Sequence, residues 1–338
     1  MCNFVPNYVQ CSIIMDQLSQ IRKPIEDDLK RYLTLFEQDF THENPLLQLA
    51  LQHILKRQGK RLRPILTLLS ARCFGEVGES VLHASVGLEL LHTASLVHDD
   101  VVDESNMRRG QKSVNELLSS QAAVLVGDYL LAKSLQHSAK TENVNVVHSL
   151  AKVSELLSDG ELLQLYALDS DKIEEEVYYK VIERKTASLF STSAKLGAML
   201  AGASEEQTAA MQLFGEYLGV AFQIRDDMLD YSDSTVLGKP AGNDMNEGKL
   251  TLPVIYVVNQ SSDENLYQLA LKVRRTEATP DEIALLVKET VDRGGLDYAA
   301  ECMEQFVQKA LAQLNLVPSS EYTEALRLFA GLVVQRNQ

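Results

Sequence analysis

Six aspartates in two groups of the same form constrain this chain more than any other feature. Asp99, Asp100 and Asp103 close the run LVHDDVVDES, and Asp226, Asp227 and Asp230 sit in FQIRDDMLDY. Each group reads D-D-x-x-D and follows apolar residues at helical spacing. On an α-helix, positions i and i+4 differ by only about 40° around the axis and i and i+1 by about 100°. Each group therefore turns three carboxylates toward one side of its helix. Like charges on one turn repel by roughly 0.2–0.5 kcal/mol per exposed pair, and by more when buried, so a cation must offset them. Hard divalent ions fit, Mg²⁺ above all, because it takes a few carboxylates together with phosphate oxygens. One such cluster reads equally well as a solvated acidic face. Its repetition behind two apolar runs weighs against that.

Helical periodicity dominates the rest of the chain. It predicts helices over 16–38, 44–58, 63–73, 114–139, 143–168, 173–201 and 205–231. Residues 80–103 form an almost wholly apolar helix, and a helix apolar all round is a buried one. Thr279-Pro280-Asp281-Glu282 is a helix start, with Thr as cap and Pro at the first position, and Gly294-Gly295 is its stop. No strand alternation, Pro-rich linker or short repeat stands out. The fold class expected is all-α, helix packed on helix in one large bundle over residues 15–338. The paired aspartate helices are expected to face each other across a deep central cavity.

At 338 residues, with 45% hydrophobic and 23% charged residues, the chain has ample material for a core. A net charge of −15 disfavours a nucleic-acid surface. Four cysteines, Cys2, Cys11, Cys73 and Cys302, match no zinc or redox spacing and are too few for a disulfide framework. Reduced thiols and a cytoplasmic location are expected. No apolar run is read as long enough to span a membrane. Residues 1–14 lack a signal-peptide pattern and are expected to be a disordered extension or an early start.

An acidic chain that binds an anion must concentrate its positive charge. Lys60, Arg61 and Arg63 are its densest basic spot, Arg108 and Arg109 follow the first aspartate group, and Lys239 and Lys249 follow the second. Each taken alone reads as a solubilising surface charge. Beside two carboxylate groups they describe a diphosphate site, since Arg binds phosphate bidentately and Lys as a point charge.

These segments resemble the trans-isoprenyl diphosphate synthases of the polyprenyl synthetase family. The matching stretches are GKRLRP (59–64), LLHTASLVHDDVVDESNMRRG (90–110), VGDYLLAKS (126–134), ERKTASLF (183–190), GVAFQIRDDMLDY (219–231) and GKPAGNDMNEGKLTLP (238–253). Only residues 1–14 depart from the pattern. The resemblance implies the isoprenoid synthase fold, a homodimer, and the joining of an allylic diphosphate to isopentenyl diphosphate with three Mg²⁺ ions. It further implies that Asp99, Asp103 and Asp226 ligate Mg²⁺ directly, with Asp100, Asp227 and Asp230 in support. Arg108, Lys185, Lys239 and Lys249 would hold the allylic diphosphate, and Lys60, Arg63, His92 and Arg109 the isopentenyl diphosphate. Thr186 and Gln223 would line the reacting centre. Spacing agrees in part: His92 shares a helix face with Asp99 two turns on, and Gln223 precedes the second group by one turn. Without the resemblance, His92 reads as a core histidine and Lys185 as a solvated lysine.

Product length is expected to depend on what blocks the cavity beneath the first aspartate group. Ala94 and Ser95, one turn before Asp99, are small, with Leu91 and Leu88 deeper on the same helix. Tyr129, Leu131 or Leu135 would supply a floor. Each buried CH₂ contributes about 0.8 kcal/mol, so a tail grows until a wall stops it. The expectation is a long product of about C30–C50, centred on octaprenyl, as small residues at this place resemble the longer-chain members; the alternative is a farnesyl or geranylgeranyl product. The residues are silent on the peripheral membrane contact that release of such a product invites. Two rival readings carry less. A metal phosphohydrolase built on His98-Asp99 needs further histidines, and all seven precede residue 149. A non-catalytic subunit of a heteromeric synthase would be expected to lose motif residues that are intact here.

Overall fold

The computed structural model describes residues 17–56, 59–108, 110–231 and 242–334. Their regular secondary structure is helical apart from one two-stranded hairpin, so the all-α class expected from periodicity is the class observed. The 1–14 extension lies outside the described residues, as do Arg109 and Lys239. The chain divides into two compact units. One takes in residues up to Glu155 with Leu189–Gly215 and Gln313–Phe329; the other takes in Leu156–Ser188, Glu216–Ala312 and the residues from Ala330 onward.

The first unit is organised by α4. Its helices include α1 (Glu26–Glu37), α2 (Pro45–Leu55), α3 (Leu62–Arg72), α4 (Glu79–Val102) and α5 (Ser120–Lys140). Helix α4 packs against α1, α3 and, most extensively, α5. Its Leu82, Leu88, Leu90, Leu91, Ala94 and Val97 are all buried, as an apolar circumference demands. One expectation is corrected here: α4 is long and apolar enough to cross a membrane, but most of it is covered by its neighbours. Between α1 and α3, Asp28 is clamped by Arg72, whose Nε and Nη2 donate to its two carboxylate oxygens at 2.6 and 3.0 Å.

Three boundaries depart from the periodic reading. The helix expected over 114–139 breaks at Leu118 (φ −120°, ψ −80°), because the extended Ser119 caps α5 by accepting from the Ala122 N–H. The helix expected over 173–201 contains a π turn at Glu183–Ala187, between α7 (Glu175–Ile182) and α8 (Ser188–Leu200), which follow α6 (Val144–Leu168). Strands β1 (Met107–Arg108) and β2 (Gln111–Lys112) pair antiparallel, with Arg108 opposite Gln111. Strands of two residues have no alternation to read, so periodicity could not show them.

In the second unit, α9 (Glu205–Leu229), shared in sequence with the first, ends in the second aspartate group. It is followed by α10 (Leu252–Gln260), α11 (Glu264–Arg274), α12 (Pro280–Asp292) and α13 (Gly295–Gln313). Helix α12 starts where expected, with a capping box between Thr279 and Glu282. It packs on α10 and α11 over a core that includes Leu252, Val254, Ile255, Val258 and Leu286.

Candidate active site

A cavity of about 600 Å³ lies within the second unit. It is lined by Lys185 and Thr186 from the π turn, Gln223, Asp226, Asp227 and Asp230 from the end of α9, and Lys249 from the loop before α10. Residues that the sequence placed in three separate motifs are thus brought to one wall. They are joined there by Tyr178, Gln164, Asp244 and Arg274, which the sequence reading did not assign.

The three aspartates of this group have different surroundings. Asp226 is exposed. Asp230 holds the next motif in place: its Oδ1 accepts from the Asn243 N–H at 3.1 Å and its Oδ2 from the Asp244 N–H at 3.0 Å. Asp227 is buried and accepts from Tyr178 Oη at 2.6 Å and from Gln223 Nε2 at 2.8 Å. Gln223 Oε1 in turn accepts from Thr186 Oγ1 at 2.7 Å. Burial, and then the charge of Asp244, hold the Asp227 carboxyl well above the usual carboxylate range, against the pull of its two hydrogen bonds. Asp244 is pushed up to about 7, by burial first and then by Asp230 and Glu247, with Lys249 opposing.

The cations are themselves held. Lys185 ion-pairs with Glu161 and donates to Gln164 Oε1 at 3.1 Å, so the solvated lysine is replaced by an anchored one at a π turn, a feature frequent at functional sites. Lys249 pairs with Glu247 at 2.8 Å. The Gly248 before it has φ +75°, and a Cβ there would come within 2.6 Å of the Arg274 carbonyl oxygen, so only glycine seats this loop.

The acid cluster fits a divalent ion by the chemistry of its donors. The Asp227 and Asp244 carboxyls are raised first by burial and then by neighbouring acidic charge, and a cation would relieve the second of these. Carboxylate oxygens suit Mg²⁺, which keeps waters and takes substrate phosphate oxygens.

The first aspartate group ends α4 in the first unit. Asp99 is partly buried, Asp100 is buried and Asp103 is exposed, its N–H closing the helix on the Asp99 carbonyl at 2.8 Å. The hairpin returns Arg108 to the helix end, where its Nε donates to Asp100 Oδ1 at 2.5 Å. His98, just before Asp99, lies against Gly127 of α5. Its Nε2 is 3.1 Å from the Val124 carbonyl oxygen and 3.6 Å from the exposed Asp128, and a Cβ on Gly127 would fall 2.2 Å from the same nitrogen.

The remaining nominated residues of this unit are placed as follows. Lys60 is partly buried and its carbonyl accepts from Arg22 Nη2 at 2.8 Å. Arg63 lies over the Phe190 ring at 5.2 Å, and Arg61 takes a left-handed φ of 53° at the head of α3. His92 is partly buried, with its carbonyl accepting from Ser95 Oγ at 2.9 Å. Ala94 is buried, Leu131 is partly buried, and Tyr129 packs edge-on against His42. Leu135 is 49% exposed, and a side chain so wet does not close an apolar tunnel within this chain.

Residues 44–290 match the model of the Polyprenyl synthetase family. An octaprenyl diphosphate synthase of Haemophilus influenzae is 35% identical over 323 residues, which is 95% of this chain and 97% of that one. The crystal structure of a geranylgeranyl pyrophosphate synthase from Bacteroides thetaiotaomicron is 44% identical with a TM-score of 0.84, covering 94% of this chain and 99% of that one. A polyprenyl synthase from Caulobacter crescentus, crystallised with calcium and isoprenyl diphosphate, is 31% identical with a TM-score of 0.88 over 94% of this chain and 98% of its own. With its acidic motifs intact and its full helical order matched by solved structures, this chain belongs to the polyprenyl synthetase family.

Proposed function

We propose that the chain is a trans-polyprenyl diphosphate synthase, a prenyltransferase that condenses isopentenyl diphosphate head-to-tail (1′-4) with an allylic diphosphate. The observation that carries this reading is the convergence of Lys185, Lys249, Asp226, Asp227 and Asp230 on one cavity within a family member. Asp99, Asp103 and Asp226 are the proposed direct ligands of three Mg²⁺ ions, with Asp100, Asp227 and Asp230 orienting them. When bound, Mg²⁺ supplies Lewis-acid stabilisation of the departing diphosphate. Lys185 and Lys249, with Arg108 and Lys239, take up the rest of its negative charge. Lys60, Arg63, His92 and Arg109 hold the isopentenyl diphosphate. Thr186 and Gln223 sit beside the allylic carbon as it becomes electron-poor. The double bond attacks that carbon, and the released diphosphate accepts the proton lost afterwards, since no side chain is assigned as its base. Apolar walls keep water from the cation.

The product we propose is long, about C30–C50 and centred on octaprenyl. Support comes from the small Ala94 and Ser95 and from the octaprenyl synthase of Haemophilus influenzae. A geranylgeranyl product is the second reading, favoured by the higher identity to the Bacteroides enzyme. Incubating the purified chain with Mg²⁺, isopentenyl diphosphate and each of three allylic primers, then sizing the products by mass spectrometry, decides between them. No condensation with any primer would refute both.

A homodimer is also proposed. The exposed Val124, Leu125 and Leu135 of α5, and Val144 and Val147 of α6, are apolar surface of the kind a second copy covers. A cytoplasmic location, with peripheral membrane contact as product leaves, completes the proposal. It rests on cysteines without disulfide spacing and on the length of the product.

A further inference from the structure

The hydrogen bonds around Asp227 run in one direction. Tyr178 Oη donates to Oδ2, Gln223 Nε2 donates to Oδ1, and Thr186 Oγ1 donates to Gln223 Oε1, at 2.6, 2.8 and 2.7 Å. A carboxylate oxygen accepts, an amide has one accepting and one donating end, and a hydroxyl has a single proton. The order follows from those capacities. With Oδ1 as acceptor, Gln223 turns its NH₂ toward Asp227 and its carbonyl toward Thr186. Thr186 then commits its only proton to that carbonyl, and what remains for the cavity is lone pairs. With the amide reversed, Gln223 would donate to Thr186 and the hydroxyl would aim its proton into the cavity instead.

Tyr178 holds the other end of this chain. Its ring is buried on α7, at 7% exposure, and its phenol occupies Oδ2. With Tyr178 Oη seated on Oδ2, Oδ1 is the oxygen turned to the Gln223 amide. Rotating the Asp227 carboxyl would break two buried bonds, each left unsatisfied. All four side chains line the same cavity. We infer that Tyr178 is a positioning residue: through Asp227 and Gln223 it fixes the Thr186 hydroxyl with its lone pairs toward the reacting carbon, where positive charge develops. The inference rests on the prenyl-transfer reading for the sign of that charge.

The test compares wild type with Tyr178→Phe, which keeps the ring and removes one donor. Calorimetry measures three ligands in the presence of Mg²⁺: inorganic diphosphate, an alkylammonium diphosphate that mimics the allylic cation, and its neutral carbon isostere. The wild-type chain is expected to prefer the ammonium compound to the neutral one. Tyr178→Phe should lose about tenfold of that preference and about tenfold in kcat, with KM and the affinity for inorganic diphosphate within about twofold. Thr186→Ser should keep the preference and Thr186→Val should lose it. In the double variant Tyr178→Phe with Thr186→Val, the two losses should not add, because both break one chain. An unchanged preference in Tyr178→Phe at an unchanged melting temperature, or additive losses in the double variant, would overturn the inference alone. If the wild-type chain failed to bind magnesium diphosphate at all, the prenyl-transfer reading would fall and take the inference with it.

Discussion

Asp100 and Asp227 hold the same place in their two motifs, and each is the buried member of its group. One is tied to Arg108, the other to Tyr178 and Gln223. Asp103 and Asp226 are the exposed members of their groups, accessible to an ion or a substrate. Asp226→Asn should therefore lower kcat by about 10²-fold or more and raise the Mg²⁺ concentration needed for half-maximal rate. Asp100→Asn should in addition lower the thermal midpoint, because Arg108 loses its partner; steady-state kinetics and a melting curve separate the two effects. Spacing put three acids on one side of each helix, but it could not say which would be buried. A second set of buried charge carries a pH dependence. Asp39 is contacted by His137 Nε2 at 2.6 Å and Lys133 Nζ at 3.0 Å, and His137 Nδ1 lies 2.9 Å from His83 Nδ1. Burial pushes the Asp39 carboxyl up, but these hydrogen bonds and charges outweigh it and leave it below its ordinary value. Burial first, then His137 and Lys140, hold His83 below its own, against Glu79 and Asp39. In both cases the unfolded chain binds the proton more readily, so stability falls as pH falls. The His83 contribution is complete above about pH 6.5 and the Asp39 contribution above about pH 4; each is lost as pH drops below that value toward the lower folded one. Urea melts at several pH values should show both steps, with His83→Gln removing the first.

Helix α4 reached its place because nearly every face of it is apolar, and its alignment with α5 depends on close approach at Gly127. Gly127→Ala would drive a methyl into the His98 ring, which must then leave its seat beside Asp99. The expected result is a fall in activity of at least about tenfold with secondary structure retained, measured by steady-state kinetics and circular dichroism. At the start of α12, Thr279→Ala removes the hydroxyl that accepts from the Glu282 N–H, leaves the residue-279 N–H to donate to the Glu282 carboxylate, and should cost about 1 kcal/mol without affecting turnover. A denaturant midpoint measures it. That start was legible because Thr-Pro-Asp-Glu is a local signal. The break at Leu118 and the π turn at 183–187 were not, since the apolar period runs through both and only packing with neighbours chooses where the backbone departs from it.

For the molecule as a catalyst, tail length is the property to test. Ala94 is buried on α4 one turn before Asp99, so Ala94→Phe should shift the product distribution to shorter chains, read by mass spectrometry. Overpacking of this kind costs about 1–3 kcal/mol, so the variant's melting curve is measured alongside. Unchanged product length in a folded variant would remove α4 as the wall. Chelation with EDTA should abolish condensation while leaving the helical signal, because the described core is apolar and holds no metal ligand cluster; added Mg²⁺ should restore the rate.

Periodicity of 3.6 is a property of neighbours along the chain, and it was enough to announce helices, a buried apolar helix at 80–103 (observed as Glu79–Val102) and two faces of three carboxylates. Motif order was enough for the family resemblance and for naming Lys185, Thr186, Gln223 and Lys249. What it could not supply were the partners. Tyr178 reaches Asp227 across 49 positions, and Arg72 reaches Asp28 across 44. Burial and hydrogen-bond direction are set by such distant pairs, so they exist only once the helices have packed.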